Sequence, residues 1–243
     1  TTTATSSSNT TDVRDNGVRQ EVTLVSVDEM PLNVVLVVDL SSSLDGDQRS
    51  DLTRAIDALL GSLTARDRAA TVPFATAIAP MATLTADFGL VRDALLNPPG
   101  GARTSLVDAA FAGLLLGGSA VGRSLMLVFS DGLDTASWLP EPVVLDVAKR
   151  AEVVVYGIVP ASQHSGSFLG QLASTSGGDL IQVRSSRDVK GTFVRLLSEY
   201  RHRYLLSYRP QGVDRVGWHE LEVRVSASSA DVRARPGYLS GPG

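Results

Sequence analysis

Cysteine and long apolar runs are absent from the 243-residue sequence, and each absence excludes a class of protein. Without cysteine the chain has neither disulfides nor thiolate metal ligands, although the cellular compartment stays open. No segment approaches the roughly 20 consecutive apolar residues that a transmembrane helix needs, so we predict no membrane span. The net charge of −4 argues against nucleic acid as a partner. With 43% apolar and 20% charged residues, the composition is that of a globular protein.

The two ends of the chain differ in pattern from its middle. Residues 1–11, which begin TTTATSSSNT, have neither the basic start nor the apolar core of a signal peptide, and we expect a flexible leader there. Residues 12–32 contain Asn16-Gly17 between strand-forming residues, which predicts a β-hairpin. Residues 201–243 contain YLLSYRP, HELEVRVSA and DVRARPGYL, whose period of two is typical of antiparallel strands. We therefore expect both ends of the chain to join in one small antiparallel β subdomain.

Residues 33–200 alternate between apolar strands and amphipathic helices. The strands include NVVLVV, SLMLVF and EVVVYGIV, and their continuous apolar character indicates burial on both faces. After the first strand, apolar residues recur with helical spacing at positions 52, 55, 56, 59, 60 and 63. This alternation predicts an α/β fold with a doubly wound, mostly parallel sheet between layers of helices.

Oxygen-bearing side chains follow two of the predicted strands at the point where each strand ends. Asp39 ends the run VVLVVD and is followed at alternating positions by Ser41 and Ser43, while Asp131 follows LMLVFS. Thr104 opens a predicted helix directly after GGAR. Because the loops after neighbouring parallel strands meet at one edge of a sheet, we expect these five side chains to converge.

This set of residues predicts a site for a hard divalent cation. It contains only oxygen donors and only two carboxylates, which suits Mg²⁺, with Mn²⁺ or Ca²⁺ as alternatives, whereas zinc prefers histidine or cysteine. An ion surrounded mainly by neutral hydroxyls and water keeps much of its positive charge. We therefore expect the ion to bind a glutamate or aspartate carboxylate of a partner protein, which would make the chain a binding module and not an enzyme.

The segments DLSSS, GGART and SDG resemble the metal-ion-dependent adhesion site of von Willebrand factor type A domains. The resemblance implies a Rossmann-like fold in which Asp39, Ser41, Ser43, Thr104 and Asp131 hold the metal, the hydroxyls directly and the aspartates often through water. One departure is the serine at position 42, where the family often has glycine. The flanking DNGVRQEV, YLLSYRP and VRARPGY resemble bacterial, in particular acidobacterial, proteins of this kind. This likeness implies an extracellular, periplasmic or cell-envelope location.

Other interpretations of the same residues stay open. A metal-dependent hydrolase would use the ion to activate water, and a structural module would carry a vestigial metal site. The serines would also serve to cap the following helix, a reading that leaves Thr104 and Asp131 unexplained. A phosphotransferase of the haloacid dehalogenase type is disfavoured, because it needs a second aspartate where Ser41 stands. The segment GGSAVGRS resembles a phosphate loop but follows a helix and opens a strand, so we interpret it as a linker.

The remaining acids and histidines are given structural roles. Asp47 is expected to cap the helix after the first apolar strand, and Asp45 and Asp134 to lie on the rim of the site. His164 is expected to be exposed in a loop, and the histidines at positions 202 and 219 to flank β-strands.

Overall fold

A central sheet with helices on both faces forms the body of the protein. The computed structural model describes residues 11–27, 30–42, 44–79, 81–95, 101–119, 121–130, 133–161, 168–226 and 232–241. Within these residues the strands are β1 (Thr11–Asp15), β2 (Val18–Gln20), β3 (Val22–Val25), β4 (Leu32–Asp39), β5 (Arg68–Phe74), β6 (Ala82–Thr85), β7 (Arg123–Phe129), β8 (Val153–Pro160), β9 (Asp179–Val183), β10 (Leu205–Tyr208), β11 (Gly217–Val225) and β12 (Gly237–Ser240). The helices are α1 (Gly46–Leu60), α2 (Phe88–Asp93), α3 (Leu106–Gly118), α4 (Glu141–Arg150), α5 (Phe168–Ser176) and α6 (Arg187–Arg201).

The central sheet has the strand order β6-β5-β4-β7-β8-β9. β5, β4, β7, β8 and β9 run parallel, and the short edge strand β6, which the sequence pattern did not predict, is antiparallel to β5. The chain first adds β5 on one side of β4 and later adds β7 on the other side. The strand order therefore reverses between β4 and β7, and in open α/β sheets this reversal opens a crevice at the carboxyl ends of the strands. The predicted α/β fold class is confirmed.

The apolar run of β4 is continuous because helices cover both faces of the sheet. All eight residues of β4 are buried. Val34, Leu36 and Val38 belong to one apolar cluster, which includes buried residues of α1 and α6. Val35 and Val37 belong to a second cluster, which includes buried residues of α3, α4 and α5. Alternate residues of a strand point to opposite faces, so a strand between two helical layers needs apolar side chains at every position.

The two ends of the chain pair with each other in antiparallel sheets, as predicted. One sheet has the order β12-β11-β1-β2, and β10 pairs with β3 in a second, two-stranded sheet. The β1–β2 turn holds Asn16 at φ 48° and Gly17 at φ 80°, the left-handed backbone that tight hairpins require. The predicted strand DVRARPGYL is shorter than expected: residues 232–236 are not in a strand, and β12 covers only Gly237–Ser240.

A buried carboxylate, Asp67, links the start of the central sheet to the end of α6. Its Oδ1 accepts from the Leu32 amide at 2.9 Å, and its Oδ2 accepts from the Thr64 amide at 2.8 Å and the Arg201 guanidinium at 2.8 Å. Burial by itself raises the pKa of Asp67, but the Arg201 guanidinium and the hydrogen bonds from Thr64 and Leu32 together lower this pKa below its ordinary value. The folded state therefore binds the Asp67 proton less tightly than the unfolded state does.

We expect Asp67→Asn to destabilise the protein at pH 7 by about 2–3 kcal/mol, because an amide NH₂ group would face the Thr64 and Arg201 donors. In the wild type, the stabilisation from Asp67 is present above the unfolded pKa of about 3.9 and disappears as the pH falls through the lower, folded pKa. The variant should therefore lose less stability than the wild type on acidification. Urea denaturation followed by circular dichroism from pH 7 to about pH 3 measures both effects.

The matched control for this experiment is Asp57→Asn. Asp57 pairs with Arg92 at 2.7 Å, but both side chains are about half exposed. A surface ion pair of this kind contributes about 0–1 kcal/mol, so the control should resemble the wild type. Equal stabilities for D67N and D57N would show that Asp67 does not link these elements.

Candidate metal centre

The carboxyl ends of β4, β5 and β7 lie side by side at one edge of the central sheet. Asp39, the last residue of β4, is opposite Phe74, the last residue of β5. Ser130 follows the last residue of β7, which is the other neighbour of β4. Asp39 lies at the position where the strand order reverses, and its side chain is fully buried.

Two neutral groups hold the Asp39 carboxylate in place. Its Oδ1 accepts from the Ser41 amide at 3.0 Å, and its Oδ2 accepts from the Ser130 hydroxyl at 2.8 Å. These hydrogen bonds orient the carboxylate. A carboxylate oxygen has about two acceptor sites, so the two bonds are compatible with a cation that contacts the same group. A cation bound here would interact favourably with the buried carboxylate.

The loop after Asp39 leads into helix α1, whose N-cap is Asp45 and not Ser41. Asp45 caps α1: its carboxylate accepts from the Gln48 amide at 2.8 Å, and the Gln48 side chain accepts from the Asp45 amide at 2.9 Å. The prediction that Asp47 caps this helix is wrong, since Asp47 lies within the first turn. Ser41 is buried beside Asp39, and the α1 cap does not involve it. The interpretation of Ser41 as part of a helix cap is therefore not supported.

Arg49, which the sequence pattern did not single out, holds the backbone of this loop. Its guanidinium donates to the carbonyls of Leu40 and Ser41 at 3.0 Å each and to the carbonyl of Leu44 at 3.2 Å. The carbonyls of three loop residues therefore point toward α1. An arginine on the inner side of a helix has no distinctive sequence signal, because its partners are identified only by the folded loop.

Thr104 lies in a loop that is hydrogen-bonded to both of its neighbours. Its amide donates to the Thr135 hydroxyl at 2.9 Å, and its carbonyl accepts from the Thr135 amide at 2.8 Å. On the other side, the Ser42 amide donates to the Gly101 carbonyl at 3.3 Å, which joins the Thr104 loop to the loop after Asp39. The Ser105 amide and hydroxyl both donate to the carbonyl of Ala75, just beyond β5.

The structure therefore brings together the loops that carry the predicted ligands. Asp39, Ser41 and Thr104 are all buried within this group of loops at the carboxyl edge of the sheet. Ser43 and Asp131 lie outside the described residues, although Ser130, next to Asp131 in the chain, contacts Asp39. Among the described residues, no three His, Cys, Asp or Glu side chains gather into a cluster that could hold a metal. The side chains predicted as ligands offer only oxygen atoms, which suit a hard cation better than zinc.

Asp134, which was predicted to lie on the rim of the site, connects the loop after β7 to the start of α3. Its Oδ1 accepts from the Val107 amide at 3.2 Å in the first turn of α3, a helix that its own N-cap residue, Ser105, does not cap through a side chain. In return, the Asp108 carboxylate accepts from the amides of residues 138 and 139 at 3.0–3.2 Å. These reciprocal bonds fix the loop after β7 to the start of α3.

A second buried polar cluster, which the sequence pattern did not reveal, lies in the antiparallel sheets. His219 lies inside β11 and is 2% exposed, although it was expected to flank a strand. Its Nδ1 is 2.8 Å from Oδ1 of the fully buried Asp15, and the hydroxyls of Tyr208 and Tyr238 each donate to Asp15 Oδ2 at 2.9 Å. Burial, above all, raises the pKa of both tyrosines, so they remain protonated donors at physiological pH. His202 is exposed at the end of α6, and His164 lies outside the described residues.

The order of groups in this cluster resembles a serine hydrolase triad, but the hydrogen bonds differ. Ser240 Oγ is 3.0 Å from His219 Nε2, and it also donates to the Arg215 carbonyl at 2.9 Å. A hydroxyl has one proton, so a Ser240 hydroxyl that donates to the Arg215 carbonyl does not also donate to His219 Nε2. A nucleophilic serine is activated by donating its proton to the histidine, so this arrangement differs from a catalytic triad. The cluster therefore joins β1, β10, β11 and β12 as a structural network.

The family model of the von Willebrand factor type A domain matches residues 33–195. A von Willebrand factor type A protein from Catenulispora acidiphila is 15% identical with a TM-score of 0.61, and the match covers 79% of this chain and 50% of that one. An aerotolerance-related membrane protein from Bacteroides fragilis is 13% identical with a TM-score of 0.53, over 69% of this chain and 99% of that one.

A third similar structure contains a metal. Proximal thread matrix protein 1 from mussel byssus, with a zinc-occupied MIDAS motif, is 16% identical with a TM-score of 0.57, over 70% of this chain and 48% of that one. At these identities the likeness shows the fold alone. No curated protein matched the chain. In the part of the chain that the structure describes, no helix has the length and apolar character needed to cross a bilayer.

Proposed function

Because the chain belongs to the von Willebrand factor type A domain family, whose members are typically protein-interaction modules, we propose that it binds a divalent cation and, through it, a partner protein. The proposed ligands are Asp39, Ser41, Ser43, Thr104 and Asp131. The open position of the ion would accept a glutamate or aspartate carboxylate of the partner. On the same resemblance we propose an extracellular or cell-envelope location.

The single observation that carries this proposal is the burial of Asp39, Ser41 and Thr104 in adjoining loops at the carboxyl edge of the central sheet, where the strand order reverses. The Asp39 carboxylate accepts from the Ser41 amide and the Ser130 hydroxyl, which orient it. A cation at this position would compensate the buried charge. Hydroxyl and water ligands would leave that cation enough positive charge to attract a further carboxylate.

Mg²⁺ is the proposed ion, with Mn²⁺ or Ca²⁺ as alternatives. Oxygen donors and retained waters suit all three ions. The mussel protein carries zinc in its MIDAS motif, but zinc prefers nitrogen and sulfur ligands to an all-oxygen set. The ion would act as an electrostatic anchor for the partner, and the chain's own part is to hold the donor atoms and to exclude water from Asp39.

The geometry supports a binding module better than a hydrolase. A hydrolase needs a base beside the ion to accept a proton from water. The two described carboxylates of the adjoining loop and helix, Asp134 and Asp108, are instead engaged with backbone amides. We therefore propose that the chain is not an enzyme.

Calorimetric titration tests this function. We expect Mg²⁺ or Mn²⁺ to bind the purified chain, and a glutamate-containing peptide to bind only while the ion is present. The same peptide with glutamine in place of glutamate should not bind, and EDTA should reverse the binding. Metal-dependent turnover of phosphoesters or peptides would instead indicate the hydrolase, and peptide capture that EDTA does not affect would indicate a vestigial metal site.

A further inference from the structure

Trp138 is an exposed aromatic residue in the loop that adjoins the proposed metal site. Its side chain is 94% exposed, and that of Leu133 in the same loop is 65% exposed. Single exposed apolar residues are common on protein surfaces, so exposure alone does not identify a binding site. Two further properties distinguish this loop from an ordinary exposed segment: its backbone is held by hydrogen bonds, and it lies next to the proposed metal site.

The backbone of Trp138 is fixed although its indole is free. Its amide donates to both carboxylate oxygens of Asp108 at 3.2 and 3.0 Å, and the Leu139 amide donates to Asp108 Oδ1 at 3.0 Å. Asp108 lies in the first turn of α3, a helix that packs on the central sheet through its buried residues. A tryptophan on a fixed backbone offers a large contact area and loses little conformational entropy on binding.

The same loop is hydrogen-bonded to the proposed ligand Thr104. The Ala136 amide donates to the Thr104 carbonyl at 3.0 Å, and Trp138 follows two residues later. Two residues span at most about 7 Å of backbone. The Arg103 guanidinium, which donates to the Thr135 carbonyl, adds positive charge to this rim. An apolar and a basic group therefore flank the position at which the partner's carboxylate would bind.

We propose that Trp138, together with Leu133, binds an apolar side chain of the partner segment whose acidic residue binds the metal. This inference rests on the proposed function and states which kind of partner sequence the site would select. An extended segment advances about 3.3 Å per residue, so residues two to four positions apart lie about 7–13 Å from each other. The partner is therefore an extended acidic segment with an apolar residue two to four positions from its glutamate or aspartate.

The experiment compares two peptides on four forms of the whole chain: the wild type, two variants and a control. One peptide carries a glutamate and, two positions later, a phenylalanine in a Gly/Ser background, and the other has serine in place of the phenylalanine. The variants are Trp138→Ala and Trp138→Phe, and the control is Tyr204→Ala. Tyr204 is 82% exposed and follows Arg203, whose carbonyl accepts from Arg123 at the start of β7, so it lies at the opposite edge of the sheet.

Surface plasmon resonance with immobilised peptides and Mn²⁺ in the buffer gives the affinities. The wild type and Y204A should bind the phenylalanine peptide more tightly than the serine peptide, on the order of tenfold, as for a central aromatic contact. W138A should lose this difference and keep the affinity for the serine peptide, whereas W138F should retain most of the difference. Calorimetric Mn²⁺ affinity should be the same in all forms.

Each other outcome overturns the inference. Equal preference for the phenylalanine peptide in W138A and the wild type would exclude Trp138 while leaving the metal site intact. Absence of Mn²⁺ binding in the wild type would overturn the proposed function and this inference with it. Sedimentation that shows a dimer for the wild type and a monomer for W138A, without peptide, would assign the surface to a second copy of the chain.

Discussion

Asp39→Asn is expected to weaken Mg²⁺ and Mn²⁺ binding by at least about 100-fold, because changes outside the ligand shell already cost about 10–100-fold in metal affinity. Asparagine has nearly the same shape as aspartate but lacks the negative charge, and its NH₂ group would face the Ser41 amide or the Ser130 hydroxyl, both of which donate to Asp39. Calorimetric titration of each ion into wild type and variant measures the loss.

Thermal unfolding provides a second measure of the same substitution. An ion that binds only the folded chain stabilises it by about 2.7 kcal/mol at 100 times its dissociation constant. The Tm of the wild type should therefore rise with added Mn²⁺ and fall again with EDTA, while the Tm of D39N stays constant. The Tm with Mn²⁺ is compared with the Tm without it for each protein separately. The result therefore does not depend on how the substitution changes the stability of the metal-free chain.

Asp45→Asn is the matched control for Asp39. It removes one negative charge six positions along the same loop, and asparagine caps a helix about as well as aspartate does. We expect metal affinity within about twofold of the wild type, because exposed charges that do not touch the ion are screened by salt. Equal heats for wild type and D39N, or an equal loss in D39N and D45N, would rule out Asp39 as a ligand.

Asp15→Ala should destabilise the antiparallel sheets by about 3–5 kcal/mol, since it removes one partner of a buried charged network. The substitution leaves His219 and the hydroxyls of Tyr208 and Tyr238 without their common acceptor. Trp218 lies in β11 next to His219, and in a Trp138→Phe background it is the single tryptophan, so its fluorescence reports on β11 and on its contact with Lys149 of α4. Urea denaturation followed by this signal and by circular dichroism measures the effect.

The control is Asp12→Ala in the same strand, β1. Asp12 pairs with Arg14 and Arg19 at 3.1–3.2 Å, but these arginines are 42% and 65% exposed. Such pairs contribute less than about 1 kcal/mol, so D12A should unfold near the wild-type midpoint. If D15A and D12A have the same urea midpoint, then the Asp15 cluster does not stabilise the sheets in which the two chain ends pair.

The positions of the central strands and of most helices follow from the sequence because each depends on a local pattern. NVVLVV is apolar at every position since it lies between two helical layers, and the stripe at positions 52 to 63 has the period of α1. The candidate site was also predictable in part. Its five residues directly follow two predicted strands or open a helix, and the topology of a parallel sheet brings such positions together.

The groups that hold these elements in place were not predictable in the same way. Asp15 and His219 are 204 positions apart, and Asp67 and Arg201 are 134 positions apart. Arg49 is close in sequence to the loop it holds, but its partners are backbone carbonyls, which every residue carries. Asp134 likewise bonds to a backbone group, the amide of Val107, which is 27 positions away in the sequence.

The sequence alone determined the fold class and the proposed ligands, because hydrophobic periodicity and strand-end chemistry are properties of short segments. Only the tertiary structure decided which acids are buried, which of them cap helices, and where the chain ends pair. Those outcomes depend on the solvent exposure and the partners of each group, and both arise when distant segments pack and exclude water.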